Sequence, residues 1–342
     1  MKAIRYHGPQ DCRLEEVPIP SMGPEDVLIR VKACGICATD LEIFDGTMYF
    51  LTYGLARTPF TPGHEWSGEV VEFGRNVSGF DVGDTVCGEC SVGCRQCMYC
   101  KRGRYNLCPD RTETGILNRG GGFAEYISFP FHYLHRCNSL DFEQAACIEP
   151  IGVAVYAVKQ SHVSPEDTVV VIGAGPIGLS VIQVARAYGA RKVIAVDLRD
   201  DRCALAQAQG ADVALNPQHS NVAEAMHEIT DGQLADVVFE CAGKAAAWET
   251  IPSLLAPGGR IGVVGLTGGE QVCLDFDPLV VRDVAIKGTV GGPNCWGEAI
   301  SMVEDGTVIP TITHQLPLHQ FEAGIATANA KEEGAIKVIL NP

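Results

Sequence analysis

Four cysteines, Cys94, Cys97, Cys100 and Cys108, stand in the spacing C-x2-C-x2-C-x7-C. Thiolates this close along a chain can enclose a tetrahedral Zn²⁺ unaided, and a closed four-sulfur shell keeps no open position for a substrate. The residues between them include Lys101, Arg102 and Arg104, as suits an exposed lobe (about 87–110) with little core of its own. Such a site builds structure and leaves chemistry to residues elsewhere. Cys87 and Cys90, just upstream, leave a shifted ligand set open.

A second constellation is scattered. Cys37 lies in Cys34-Gly35-Ile36-Cys37-Ala38-Thr39-Asp40, His64 in Gly63-His64-Glu65, and Glu149 in Cys147-Ile148-Glu149-Pro150. A thiolate, an imidazole and a carboxylate from distant segments would hold zinc and keep a fourth position for a substrate oxygen, the pattern of a catalytic site. Each also has a plain reading as a buried thiol, a hydrogen-bonded histidine or a helix-start charge, and spacing alone does not choose.

The third signal is a dinucleotide fingerprint. Val169-Val170-Val171-Ile172 runs into Gly173-Ala174-Gly175-Pro176-Ile177-Gly178, the G-x-G-x-x-G pattern placed after a strand and before a helix. Its glycines permit the tight turn, the approach of a pyrophosphate and close helix–strand packing, while the helix N-terminus faces the phosphates. A second strand, Lys192 to Val196, ends at Asp197, where a carboxylate can bind the ribose hydroxyls. That carboxylate repels a 2′-phosphate, so NAD is favoured over NADP, with Arg199 and Arg202 close enough to soften the preference.

The elements that position these residues change character along the chain. Short strands with glycine punctuation, such as 27–32, 68–74 and 123–127, indicate an irregular β-barrel-like domain over 1–150. From Thr168 short β-branched strands alternate with helical stretches, the sign of a parallel sheet covered by helices, over 151–288. The segment 289–342 is expected to return to the first domain. At 342 residues two domains are the default, and 46% hydrophobic content supplies their cores. A net charge of −16 disfavours nucleic-acid and anionic-membrane partners. No apolar run reaches membrane-spanning length and Met1-Lys2-Ala3-Ile4-Arg5 lacks a signal-peptide pattern, so a cytoplasmic protein is expected. Fifteen cysteines, an odd number in a core-rich chain, speak for metal ligation over a disulfide framework.

Together, Cys37-Ala38-Thr39-Asp40, Gly63-His64-Glu65, the four-cysteine lobe, Gly122-Phe123-Ala124-Glu125-Tyr126 and the glycine fingerprint resemble the zinc-containing alcohol dehydrogenases of the medium-chain dehydrogenase/reductase superfamily, over nearly the whole length. Ile148-Glu149-Pro150 through Val158 is most similar to the sorbitol (polyol) and threonine dehydrogenase branches.

The resemblance implies an α/β architecture: a GroES-like catalytic domain, split in sequence, with a Rossmann domain between its parts. It implies two zinc ions, one in the lobe and one held by Cys37, His64 and Glu149, with Glu65 adjacent and able to reach the metal. Asp40 would orient the ligand histidine. Thr39 would take the proton of a substrate hydroxyl bound at the zinc while hydride passes to the nicotinamide. Cys147 stands as an alternative third ligand. Glu42 occupies the place of a proton-relaying histidine, and Ala38 that of a phosphate-binding arginine. A polyol, vicinal diol, aminocyclitol or amino alcohol suits this branch, and relatives are dimers or tetramers. A simple primary alcohol dehydrogenase and a non-catalytic, cofactor-binding member of the fold are the competing readings.

Overall fold

Residues 1–330 and 334–342 are described in a computed structural model of the chain. One unit comprises Met1–Gly152, Gly291–Gly306 and Pro310–Pro342, and the other Val153–Val290 with Thr307–Ile309.

The first unit is built around the strand Asp26–Ile36, whose Val27, Ile29, Val31 and Ala33 are almost fully buried. It pairs antiparallel with Glu65–Phe73, Tyr126–Pro130 and Lys337–Asn341. Beyond Glu65–Phe73 lie Thr85–Gly88 and then Leu134–Arg136, and beyond Lys337–Asn341 lies Ile312–Pro317, in parallel. The C-terminal strand therefore sits inside the N-terminal sheet. Trp66, Phe123, Phe129 and Phe321 form the centre of its core. The strand expected over 123–127 begins instead at Tyr126, because Phe123 and Ala124 give their backbone to Ile4 and Ala3.

In the second unit six strands run parallel in the order Val213–Leu215, Lys192–Val196, Thr168–Ile172, Ala235–Glu240, Leu255–Val263, Ala285–Gly288. Thr168–Ile172, at the middle, is buried throughout, as a strand covered on both faces must be. Helices Pro176–Ala187, Asp200–Ala208, Val222–Ile229 and Ala245–Leu254 alternate with the strands. The helix Asp200–Ala208 has Asp200 and Asp201 in its first turn, where carboxylates complement the helix dipole. This is the doubly wound Rossmann arrangement. Among the described residues no helix is long and apolar enough to cross a membrane.

Candidate active site

Three adjacent strands of the first unit carry the site. Gly35, near the end of Asp26–Ile36, pairs with Glu65 on one side and Ile339 on the other. The chain then turns, with Cys37 as N-cap, into the helix Ala38–Asp45. The Asp40 carboxylate accepts the Cys37 N–H at 2.9 Å, so one side chain both closes the turn and reaches towards the next strand.

Cys37, His64 and Glu65 offer a sulfur, a nitrogen and an oxygen that all lie within 4.8 Å of one another. His64 and Glu65 are buried and Cys37 is half-buried. His64 Nδ1 lies 3.9 Å from Asp40 Oδ1, and neither atom has a hydrogen-bond partner. With Nδ1 turned to Asp40, the other ring nitrogen is the one free to ligate, as in carboxylate–histidine–metal triads. Thr39 Oγ1 is 3.9 Å from Cys37 Sγ, on the half-buried first turn of the helix.

Glu149 opens the helix Ile148–Gln160 and is buried, but it does not belong to the close group of three. It does act on them electrostatically. Burial pushes its carboxyl up to about 7, against the pull of His64 and Lys337 and with the push of Glu65. Burial likewise raises Asp40 to about 6, opposed by His64 and the Cys37 amide. His64, which burial alone would keep neutral, is held well above the ordinary histidine range by Cys37, Asp40 and Glu149. A buried pocket that gathers a thiol, three carboxyls and an imidazole, with orphaned polar atoms, has the donor set a divalent cation requires. The residues fit zinc. Cys147, the alternative third ligand, is fully buried and lies outside the group, its thiol raised to about 12 chiefly by burial.

A residue the sequence reading missed completes the pocket. Lys337 Nζ donates to both Glu65 oxygens, at 2.8 and 2.5 Å, and to the Ile36 carbonyl at 3.2 Å. Its one sequence signal is a lone lysine in the apolar run Ala335-Ile336-Lys337-Val338-Ile339-Leu340. Gly35 makes the pair possible: a Cβ there would overlap Glu65 Oε2. Trp66, next along, points the other way into the core against Phe129, 5.1 Å between centroids.

The four lobe cysteines form a second group of mutually close sulfurs, and Cys87 and Cys90 lie outside it. Backbone amides turn inward onto the sulfurs: Cys94 N to Cys108 Sγ at 3.4 Å, Cys97 N to Cys94 Sγ at 3.4 Å, Cys100 N to Cys97 Sγ at 3.5 Å. The amides of Gln96 and Cys97 hold the Cys94 thiol down at about 7, favouring the thiolate that ligates metal. Tyr105 anchors the lobe by donating to Glu89 Oε2 at 2.5 Å and accepting from Asn294 N at 2.8 Å.

In the second unit the glycine turn has the geometry of the fingerprint. Gly173 takes φ +93°, and a Cβ at Gly178 would overlap the Gly173 carbonyl. Gly175 caps the helix Pro176–Ala187, with Pro176 at its first position and Ile177 half-buried beside it. Asp197 Oδ2 accepts the Ala174 N–H at 2.7 Å and Oδ1 the Arg199 N–H at 3.0 Å. Arg202 approaches Asp197 at 3.9 Å, its buried Nε without a partner, whereas Arg199 pairs with Asp201.

Comparison with known proteins agrees with both units. Residues 23–139 match the family of alcohol dehydrogenase GroES-like domains and residues 176–305 that of zinc-binding dehydrogenases. The chain is 37% identical to an erythritol/L-threitol dehydrogenase of Mycolicibacterium smegmatis, covering 100% of this chain and 98% of that one. It is 33% identical to an L-threonine 3-dehydrogenase of Pseudoalteromonas atlantica, covering 96% of each. A zinc-binding dehydrogenase of Sinorhizobium meliloti, solved with NADP, superposes with a TM-score of 0.90 at 32% identity, covering 100% and 99% of the two chains.

Proposed function

The chain belongs to the zinc-containing alcohol dehydrogenase family of the medium-chain dehydrogenase/reductase superfamily, and from that premise we propose that it interconverts a secondary alcohol of a small polyol or vicinal diol and its ketone, with NAD as the preferred hydride acceptor. The observation that carries this reading is the convergence of half-buried Cys37 with buried His64 and Glu65 beside the Thr39 hydroxyl. The erythritol/L-threitol relative supports a polyol, and the L-threonine 3-dehydrogenase supports an amino alcohol as the second substrate class.

Cys37 and His64 would hold the catalytic zinc, with Glu149 as third ligand and Glu65 kept in reserve by Lys337. When bound, zinc supplies a Lewis acid that acidifies an alcohol and polarises a ketone. Thr39 accepts the substrate's hydroxyl proton and passes it on; it stands on a helix turn fixed by the Asp40–Cys37 bond, so its hydroxyl is oriented before substrate arrives. Asp40 orients His64 through Nδ1. The turn Gly173, Gly175, Gly178 takes the pyrophosphate and Asp197 the ribose hydroxyls, with Arg202 alongside. Alcohol and oxidised nicotinamide give ketone, reduced nicotinamide and one released proton. The lobe zinc, on Cys94, Cys97, Cys100 and Cys108, is structural.

The test is NADH appearance from zinc-loaded protein over erythritol, L-threitol, 2,3-butanediol, sorbitol, L-threonine and simple primary alcohols. Turnover of a polyol or diol that is lost in Cys37→Ala is expected. Full activity and full zinc content in Glu149→Ala would remove Glu149 from the ligand set. Silence over the panel with zinc and NAD bound would return the chain to a non-catalytic role.

A further inference from the structure

A cleft of about 490 Å³ opens beside the segment that leads to His64, and three arginines face it: Arg5, Arg57 and Arg119, with Phe60, Thr61 and Asn118. They come from three separate pieces of the first unit, the strand Lys2–Gly8, the loop before Phe60 and the short strand Asn118–Arg119. Arg5 is braced by Thr61 Oγ1 at 3.3 Å and the Pro59 carbonyl at 3.0 Å. Arg119 donates through Nε to Thr112 Oγ1 at 2.9 Å and lies over the Phe129 ring at 5.6 Å.

None of the three forms an ion pair among the described residues. Arg13, Arg95, Arg111, Arg186 and Arg260, by contrast, all have a carboxylate partner. Burial lowers the pKa of Arg119, opposed by Asp26 and Tyr133. The cleft thus gathers three arginines with no carboxylate bonded to any of them, one of them partly withdrawn from water. A bound oxyanion would pair with them, since planar guanidiniums match a phosphate's oxygens in pairs.

The cleft is tied to the metal group by backbone. Thr61 O accepts from Gly121 N at 2.8 Å, Pro62 O from Phe123 N at 3.0 Å and Gly63 O from Gly122 N at 2.7 Å. Thr61 is three residues before His64, a span of about 10 Å at most in extended chain. A ligand a few carbons long would reach from one to the other.

We propose that Arg5, Arg57 and Arg119 form an oxyanion site, and that the alcohol this enzyme oxidises carries a phosphate monoester at the end remote from the reacting carbon. This rests on reading the metal group as a dehydrogenase centre. The same chemistry would hold free phosphate, so the experiment has separate arms. Titration calorimetry of inorganic phosphate into the zinc-loaded full chain is run on wild type, Arg57→Gln and Arg75→Gln, an exposed arginine outside the cleft. Initial rates then follow with erythritol and with erythritol 4-phosphate, each with and without added phosphate.

Phosphate binding in wild type and Arg75→Gln, weakened about tenfold in Arg57→Gln, supports the site. A higher kcat/KM for the phosphorylated alcohol that shrinks by a similar factor in Arg57→Gln, with phosphate competing, supports the substrate. Arg57-dependent binding with no preference for the phosphorylated alcohol overturns the substrate half and assigns the site to free phosphate. If neither alcohol turns over while phosphate binds through Arg57, the dehydrogenase reading fails and the oxyanion site stands. Absent binding, or equal binding in Arg57→Gln, overturns the proposal even if polyols are oxidised.

Discussion

Lys337 and Glu65, 272 positions apart in the chain, form a buried ion pair with Nζ 2.8 Å from Oε1 and 2.5 Å from Oε2. Lys337 is 4% exposed and Glu65 1%. Glu65 keeps Lys337 charged despite burial, which alone would lower its pKa. The pair locks the Lys337–Asn341 and Glu65–Phe73 strands together across Gly35, and it faces the metal group through the same carboxylate that belongs to that group. A cation entering beside Cys37 and His64 therefore competes with Lys337 for Glu65.

Removing one partner leaves the other charged in a desolvated place. Lys337→Met is expected to cost about 3–5 kcal/mol of stability, and the double variant Lys337→Met with Glu65→Leu less than that, because two buried charges leave together. Gly35→Ala should resemble Lys337→Met in direction, since its Cβ would displace Glu65 Oε2. Chemical denaturation of the zinc-free proteins checks this. A double variant as unstable as the sum of its singles would deny the coupling.

What could be read from the sequence divides by range. The lobe and the glycine turn are local: their ligands and contacts lie within one short stretch, so residue types at fixed spacing nearly specify the geometry. The alternation after Thr168 gave the parallel sheet for the same reason. The candidate metal group is not local. Cys37, His64 and Glu149 are candidates by residue type, spacing alone does not choose them and the family resemblance does, while geometry brings Glu65 closer to Cys37 and His64 than Glu149. Lys337 and the Arg5–Arg57–Arg119 cleft were invisible, because a lone lysine in a strand or an arginine in a loop acquires meaning only from partners brought by sheet register. Trp66 shows the converse, an aromatic next to Glu65 that is core because successive residues on a strand face opposite ways.

The lobe has few buried apolar residues and its inward amides turn onto sulfurs, so a metal bound there would supply much of its folding energy. Two zinc ions per chain are expected by elemental analysis, one after Cys97→Ser and one after Cys37→Ala. Cys97→Ser should lose about 3–5 kcal/mol, while the loss in Cys37→Ala should fall mainly on activity. Equal zinc content in Cys97→Ser and wild type would remove the lobe as a metal site.

Glu240 ends the strand Ala235–Glu240 and is fully buried, its Oε1 accepting from Ala242 N at 2.9 Å and Gly243 N at 2.8 Å, and its Oε2 without a partner. Burial raises its pKa, opposed by those amides. A carboxyl whose folded pKa lies above its unfolded one stabilises the fold fully below the unfolded pKa, and that stability is lost as pH rises through the folded pKa. The variant Glu240→Gln carries an amide that cannot ionise, so its Tm relative to wild type should climb from pH 4 to pH 8. A difference constant over that range would mean the carboxyl titrates as it does in the unfolded chain.

The proposed preference for NAD is tested at Asp197. Its carboxylate organises the glycine turn through Ala174 N, and it lies 3.9 Å from Arg202, whose Nε is buried and unpartnered. Asp197→Ala removes the acceptor for ribose hydroxyls and the negative charge that repels a 2′-phosphate, and it frees Arg202 to meet that phosphate. The kcat/KM with NAD should fall about 10- to 100-fold, the worth of one or two charge-assisted hydrogen bonds, while that with NADP falls less or rises. Arg202→Ala in the same background should then cost NADP and spare NAD. If the single variant lost both cofactors equally, Asp197 would act through the turn alone and selectivity would lie with other residues.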